Sequence, residues 1–223
     1  MRKICLFLLL TFYTCISFSQ NNTSHSGSFF LHKFAQNIGR ETYTIKRQGN
    51  SVSYDVDFKF TDRGSPVALK AQLVTTPDHE PVSLFIKGRT SRFSAINDTI
   101  RIQNKQAVIR ENDSVYSKTM KPGIFPVAGY SPGTVQMVLL KYWKKNGQPK
   151  SIQLLPTGEV IIKKDGNDTL RFNNKNLLLE RYVLSGLIWG NEIIWTDRSG
   201  NLICLITNDA EGDKLEMMSE PYE

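Results

Sequence analysis

The stretch GLIWGNEIIWTDRSGNLICLITND, residues 186–209, decides the fold of this chain. Two extended segments flank a turn, and the second segment carries five consecutive apolar residues, Leu202 to Ile206. A strand with one face in water alternates apolar and polar side chains. The uninterrupted run therefore predicts a strand that is covered on both faces, and it raises the question of what covers the second face.

Short alternating segments of the same kind occur along most of the chain. Turn signals at 48–50, 62–64 and 76–78 separate the first of them, and further segments follow the turn near residue 147. Consecutive strands with short connections form an antiparallel meander. The segments that show the pattern best are ETYTIKR (41–47), SVSYDVDFKF (51–60), VALKAQLV (67–74), SIQLL (151–155) and KLEMM (214–218).

One helix interrupts the strands, at SPGTVQMVLLKYWKKNG (131–147). Ser131 is the predicted N-cap, Pro132 the first helical residue and Gly147 the stop. The apolar face of this helix is wider than that of an ordinary surface helix, which indicates cover on more than one side. The sequence thus predicts a mainly β fold, in which a curved antiparallel meander sheet resembling half a barrel wraps around one buried helix at about 132–146.

The chain divides into three predicted parts: a signal peptide at 1–19, a flexible polar leader at 20–28 and a single β-rich domain at 29–223. Arg2 and Lys3 precede an apolar run that is too short for a stable membrane span, and small residues precede the expected cleavage point. We therefore expect an exported protein, periplasmic or extracellular. Lipoprotein anchoring through Cys15 is not expected, because no small residue precedes that cysteine.

Charge and cysteine content narrow the function classes. The formal charge of +7 falls to +5 when the signal peptide is removed, and the remaining charges are spread along the chain. The lysine-rich segment 141–150 fits a helix C-terminus, so no nucleic-acid partner is expected. Cys204 is the single cysteine outside the signal peptide, so the fold has no internal disulfide, and Cys204 is interpreted as a small buried hydrophobe.

A literal G-x-S-x-G motif, GYSPG at 129–133, makes Ser131 the one weak catalytic candidate. Pro132 lacks the N–H that an oxyanion hole would use, and no histidine follows Ser131 in the chain. The N-cap interpretation accounts for Ser131 without catalysis.

Neither a metal nor a cofactor is predicted. The histidines outside the signal peptide (His25, His32 and His79) have no metal-ligand spacing, and the DHE cluster at 78–80 is interpreted as a turn. Asn97, Asn112 and Asn167 stand in glycosylation-type patterns, but we interpret these three sites as hairpin turns.

Six residues form the predicted ligand or partner surface. The three tryptophans are expected to anchor the core as well, because each can bury about 150–250 Å². The six are Trp143, Trp189, Trp195, Leu202, Cys204 and Ile206.

The composite of segments 27–45, 60–73, 139–143, 155–160 and 181–213 resembles the β-rich N-terminal region that precedes the catalytic barrel of exported bacterial metal-dependent amidohydrolases. In sheet character the chain is also similar to lipoprotein-carrier-like half-barrel domains of unknown function. The first resemblance implies association with a hydrolase of C–N bonds. The residues that would bind its metal have no counterpart here, so it does not imply hydrolysis by this chain.

Three functions follow as hypotheses. The first is a non-catalytic accessory module for an amidohydrolase barrel, in the same gene product or in a separate chain. The second is a half-barrel that binds an apolar ligand such as a lipid or acyl chain. The third is a serine hydrolase that uses Ser131.

Overall fold

The computed structural model describes residues 23–128, 131–208 and 212–222. It contains fifteen β-strands, one α-helix and a short 3₁₀ turn at Glu220–Tyr222. The strands are β1 (Thr23–Lys33), β2 (Gln36–Gln48), β3 (Ser51–Asp62), β4 (Ser65–Thr75), β5 (Pro81–Arg89), β6 (Ala95–Gln103), β7 (Gln106–Glu111), β8 (Ser114–Thr119), β9 (Ile124–Pro126), β10 (Ile152–Leu155), β11 (Glu159–Phe172), β12 (Lys175–Ser185), β13 (Asn191–Thr196), β14 (Leu202–Asn208) and β15 (Lys214–Ser219), and the helix α1 spans Gly133–Lys145.

All fifteen strands belong to one open sheet with a simple meander order. Strands β1 to β8 run to one edge, strands β15 back to β9 run to the other, and β1 pairs with β15 where the two halves join. That central pairing is antiparallel and sets Phe30 opposite Met218. Within the described residues, only β9 and β10 pair in parallel. The predicted curved antiparallel meander is confirmed.

Alternating side chains give the sheet one face toward the interior. In β4, for example, Val67, Leu69, Ala71 and Leu73 are buried, while the residues between them reach the outer surface. The turns that connect such strands lie where the sequence predicts them. At the β3–β4 turn both Arg63 and Gly64 have positive φ, which matches a tight hairpin.

Helix α1 fills the concave side of the curved sheet. Ten of its thirteen residues are buried, because the sheet encloses them from several directions. The wide apolar face of the sequence is the cause of this placement, and the predicted buried helix is confirmed. The helix begins close to β15: a Cβ on Gly133 would lie 2.8 Å from the Cε of Met217.

The interior of the half-barrel is packed with side chains. Phe29, Leu73, Phe125 and Val138, which come from opposite sides of the fold, are all 0 % exposed and belong to one continuous cluster with the helix. Since protein interiors pack at the density of organic crystals, side chains fill the centre of the half-barrel around α1, and space on the concave side remains near Ser131 at the start of the helix.

Three sequence predictions need correction or lie outside the structure. Residues 23–28, predicted as part of the flexible leader at 20–28, form the first half of β1, which pairs with β2 from Thr23 onward. Asn112 lies in a hairpin turn, but Asn97 and Asn167 lie within β6 and β11. The predicted signal peptide lies outside the described residues, and no helix within them is long and apolar enough to cross a membrane.

Candidate functional site: an apolar groove on the outer face

A long hairpin covers part of the outer face of the sheet. Strand β12 pairs with β13 only from Glu180 to Ser185, so the remaining part of the β11–β12 hairpin extends past its neighbour. A register irregularity between Lys164 and Gly166 marks the point where β11 leaves the regular sheet. Residues 165–180 are called the arm.

The arm folds back over β13, β14 and β15. The indole Nε1 of Trp195, in β13, donates a 2.7 Å hydrogen bond to Asp168 Oδ2. Near the tip of the arm, the ring of Phe172 lies 5.4 Å from that of Tyr222 in an edge-on arrangement. Leu179, which would be exposed on an isolated hairpin, is only 5 % exposed. The arm therefore covers part of the second face of the apolar run in β14, where Cys204 and Ile206 are half-buried.

A charged cluster holds the base of the arm. The Nη1 group of Arg181 donates hydrogen bonds to both carboxylate oxygens of Asp168, Oδ1 at 3.0 Å and Oδ2 at 2.8 Å. The Nε of the same guanidinium lies 2.9 Å from Asp165 Oδ2. Asp168 thus accepts hydrogen bonds from Arg181 and Trp195 together, and it links the arm to the sheet.

Between the arm and the sheet lies an apolar groove with a volume of about 230 Å³. Its walls are aliphatic, aromatic and sulfur-containing side chains, apart from Asp168 and Thr169 at the arm. The apolar lining residues are Leu170, Leu179, Trp195, Ile203, Cys204, Ile206 and Met218. An engineered apolar cavity of about 150 Å³ already binds benzene, so the groove is large enough for a small apolar ligand.

Cys204 lies in this groove as a neutral thiol. Burial, followed by the negative charge of Glu216, raises the pKa of Cys204 to about 11. A thiol with such a pKa is almost fully protonated at neutral pH and is a poor nucleophile. Cys204 therefore contributes apolar surface to the groove, as the sequence predicts.

The structure divides the six predicted surface residues into three groups. Trp195, Cys204 and Ile206 line the groove. Trp143 and Leu202 face the interior, where they are 4 % and 2 % exposed. Trp189 is 96 % exposed, so its predicted role as a core anchor is wrong: it lies in the connection between β12 and β13 and contributes no core packing.

The groove residues that sequence reasoning missed are on the arm and on β15. Met218 follows an alternating pattern in KLEMM, and that pattern places it on the face opposite Met217. This signal was readable from the sequence. The contributions of Leu170 and Leu179 could not be predicted from the sequence, because no local pattern shows that the arm folds back over the sheet.

The N-terminus of α1 is capped by Glu41 and not by Ser131. Pro132 occupies the N-cap position, and its side chain makes no hydrogen bond to the helix. Glu41, in β2, accepts hydrogen bonds from the N–H groups of Gly133 and Thr134 at 2.9 and 2.8 Å, and from the Thr134 hydroxyl at 2.6 Å. The predicted Ser131 cap is therefore wrong, since a carboxylate from a distant strand takes its place.

The surroundings of Ser131 give the serine-hydrolase hypothesis no support. Its Oγ is buried without a hydrogen-bond partner in the described residues, so no base activates it. The other motif residues, Gly129 and Tyr130, lie outside the described residues. No group of three or more potential metal ligands occurs in the part of the chain that is described.

Loss of the Asp168 carboxylate should free the arm. We expect Asp168→Ala to increase the exposure of Trp195, because the variant removes the bonds from both Trp195 and Arg181. The measurement is acrylamide quenching of tryptophan fluorescence in a Trp189→Phe background, which removes the exposed tryptophan. Asp165→Ala is the control, since it leaves the Trp195 bond intact; equal quenching in the two variants would show that Asp168 does not hold the arm.

Comparisons with known proteins support the fold and nothing finer. No protein-family model matches the chain, and no curated protein matches it in sequence. The chain is similar in structure to a β-barrel-like protein with the domain of unknown function DUF1849 from Brucella abortus. The TM-score is 0.55 at 9 % identity, over 88 % of this chain and 95 % of that one. This likeness supports a β-rich, barrel-like domain, whereas the predicted link to amidohydrolases finds no support in it.

Proposed function

We propose that this protein is a non-catalytic β module that binds a short acyl chain in the groove under the arm. The observation that carries the proposal is the convergence of seven apolar side chains on an open groove of about 230 Å³ on the outer face of the sheet. The half-barrel interior, where an apolar ligand was first expected, is filled by α1 and its packing partners.

The size and lining of the groove favour one narrow aliphatic chain. Typical drug-sized pockets have volumes of about 300–1,000 Å³, so this groove fits a smaller ligand. The charged residue at its edge, Asp168, is already paired with Arg181 and Trp195 and presents no free charge to a ligand. Methionine, leucine and isoleucine side chains adapt to a flexible apolar chain, and Trp195 offers it a flat surface.

The test is calorimetric titration of the purified protein with octanoate. An aspartate in place of Ile206 would put a second carboxylate into the groove opposite Glu216, so we expect Ile206→Asp to weaken octanoate binding by at least about 10-fold. Val82→Asp is the matched control, because Val82 is 41 % exposed on β5, away from the groove. Its affinity should equal that of the wild type.

A second groove variant tests whether weaker binding in the first variant comes from a folding defect. Leu170→Asp places the same charge on the opposite wall of the groove, on the arm, and should weaken octanoate binding in the same way. Equal octanoate affinity in the wild type and in both groove variants, or no binding to the wild type, would contradict the proposal.

The accessory-module hypothesis and the expected export stay predictions. Export rests on residues 1–19, and the amidohydrolase association rests on sequence resemblance. A catalytic barrel with an H-x-H motif, encoded in the same reading frame or the neighbouring gene, would support the association. A groove that binds octanoate requires no such partner.

A further inference from the structure

A second site, separate from the groove, lies on the concave side near the start of α1. A small cavity of about 40 Å³ is lined by Ser131, Gln136, Glu192 and Thr207, with apolar neighbours around them. Glu192 is 0 % exposed and Gln136 is 3 % exposed. Buried polar groups of this kind almost always have hydrogen-bond partners.

Some polar atoms of this cluster have hydrogen-bond partners and others have none among the described residues. Glu192 Oε1 accepts from Gln136 Nε2 at 2.9 Å and from the Thr207 hydroxyl at 2.6 Å. Gln136 Nε2 also donates to the Ser131 carbonyl at 3.1 Å, which fixes the orientation of the amide. Three oxygens are left without partners among the described residues: Ser131 Oγ, Gln136 Oε1 and Glu192 Oε2.

Glu192 Oε2 and Gln136 Oε1 are unpaired acceptors, and the Ser131 hydroxyl can accept as well as donate, so the three oxygens suit a group that is rich in donors. A primary ammonium has three N–H donors and no acceptor, and its positive charge would compensate the buried carboxylate. No ion pair joins Glu192 to a lysine or arginine of the described residues. The N–H groups at the start of α1 do not oppose a cation there, because Glu41 already accepts from Gly133 and Thr134.

An adjoining cleft provides space for the rest of such a ligand. This cleft has a volume of about 240 Å³ and shares Ser131 and Leu187 with the small cavity. Val127, Leu154 and Pro156 give it apolar walls, and Glu111 also lines it. The arrangement matches an ammonium group with an aliphatic stem.

We propose that the cavity at Ser131, Gln136 and Glu192 binds the ammonium group of a small primary alkylamine whose stem lies in the adjoining cleft. This proposal does not depend on the outer groove. Loss of octanoate binding would leave it unchanged, and its own failure would leave the groove unaffected.

The experiment is NMR titration with n-pentylamine, followed through the side-chain amide signals of Gln136, with 1-pentanol as the neutral analogue. We expect pentylamine to bind at least about 10-fold more tightly than pentanol. Glu192→Gln should abolish that preference, because glutamine keeps the shape and an acceptor for Thr207 but removes the charge. Glu216→Gln, on the outer face, is the control and should bind like the wild type.

A pH titration of the wild type keeps the proposal testable if Glu192→Gln fails to fold. Burial raises the pKa of Glu192, so the carboxylate takes up a proton as the pH falls and pentylamine binding should weaken. Among the described residues, Glu111 in the adjoining cleft is the other titratable side chain that lines the site. Glu111→Gln should retain the same pH dependence. Equal affinities for pentylamine and pentanol, or a pH-independent preference, would contradict binding of the ammonium group at Glu192.

Discussion

Replacement of Glu41 by alanine should destabilise the protein by about 3 kcal/mol or more, since each unsatisfied buried donor costs roughly 1–3 kcal/mol. The variant leaves three donors without an acceptor: two backbone N–H groups at the start of α1 and the Thr134 hydroxyl. Glu41 is itself fully buried, so these donors lie away from bulk solvent. The measurement is the free energy of unfolding from denaturant titration.

Two further variants distinguish the effect of losing the helix cap from the effect of losing a carboxylate. Glu41→Gln keeps one acceptor oxygen and should be less destabilising than Glu41→Ala. Glu216→Ala removes a carboxylate whose side chain is 47 % exposed, and it should change the stability by less than about 0.5 kcal/mol. A loss below 1 kcal/mol in Glu41→Ala would show that the helix does not depend on this carboxylate.

The burial of Glu41 also predicts how stability depends on pH. Desolvation raises the pKa of Glu41 above its ordinary value, even though its three hydrogen bonds oppose the shift. The folded protein therefore binds a proton more readily than the unfolded chain. The stability that Glu41 contributes by binding this proton is fully present at pH values below its pKa in the unfolded chain. That stability is lost as the pH rises through the pKa of Glu41 in the folded protein. Glu41→Gln should remove this part of the dependence.

Replacement of Trp143 by alanine should cost about 3–5 kcal/mol, as is typical of large aromatic residues in a core. Trp143 is 4 % exposed, and its ring meets that of Tyr182 edge-on at 6.1 Å. Its Nε1 also donates to the Pro149 carbonyl at 2.9 Å, which ties the end of α1 to the following loop. Thermal and denaturant unfolding would measure the loss.

Trp189 provides the matched control for this substitution. Its side chain is 96 % exposed, so Trp189→Ala should change the free energy of unfolding by less than about 0.5 kcal/mol. Comparable losses in the two variants would mean that Trp189 packs against the core, and the division of the tryptophans described above would be wrong.

The sequence allowed most of the fold to be predicted because the relevant signals are local. Alternation at period two marks strands such as β4, and the Gly-containing turns connect them in order. The wide apolar face of α1 was enough to place the helix inside the curved sheet. Each of these signals lies within a window of about fifteen residues.

The parts that could not be predicted depend on contacts between distant segments. Glu41 lies 92 positions before Gly133 in the chain, so the expected local cap at Ser131 was preferred in its place. Likewise, the run Leu202–Ile206 predicted cover on both faces, but the arm covers the outer face only in part, because Cys204 and Ile206 remain half-buried. Nothing local in the sequence shows that the arm folds back over this run. Trp189 was misassigned because its hydrophobicity alone does not show whether a loop residue packs.

The most direct test of the account is methyl NMR of isoleucine-labelled protein during titration with octanoate. Ile203 and Ile206 line the outer groove, while Ile86, Ile100 and Ile109 lie in the interior and are 0 % exposed. We predict large chemical-shift changes for the first two methyl groups and little change for the other three. Changes confined to the interior methyl groups, or none at all, would contradict binding in the groove under the arm.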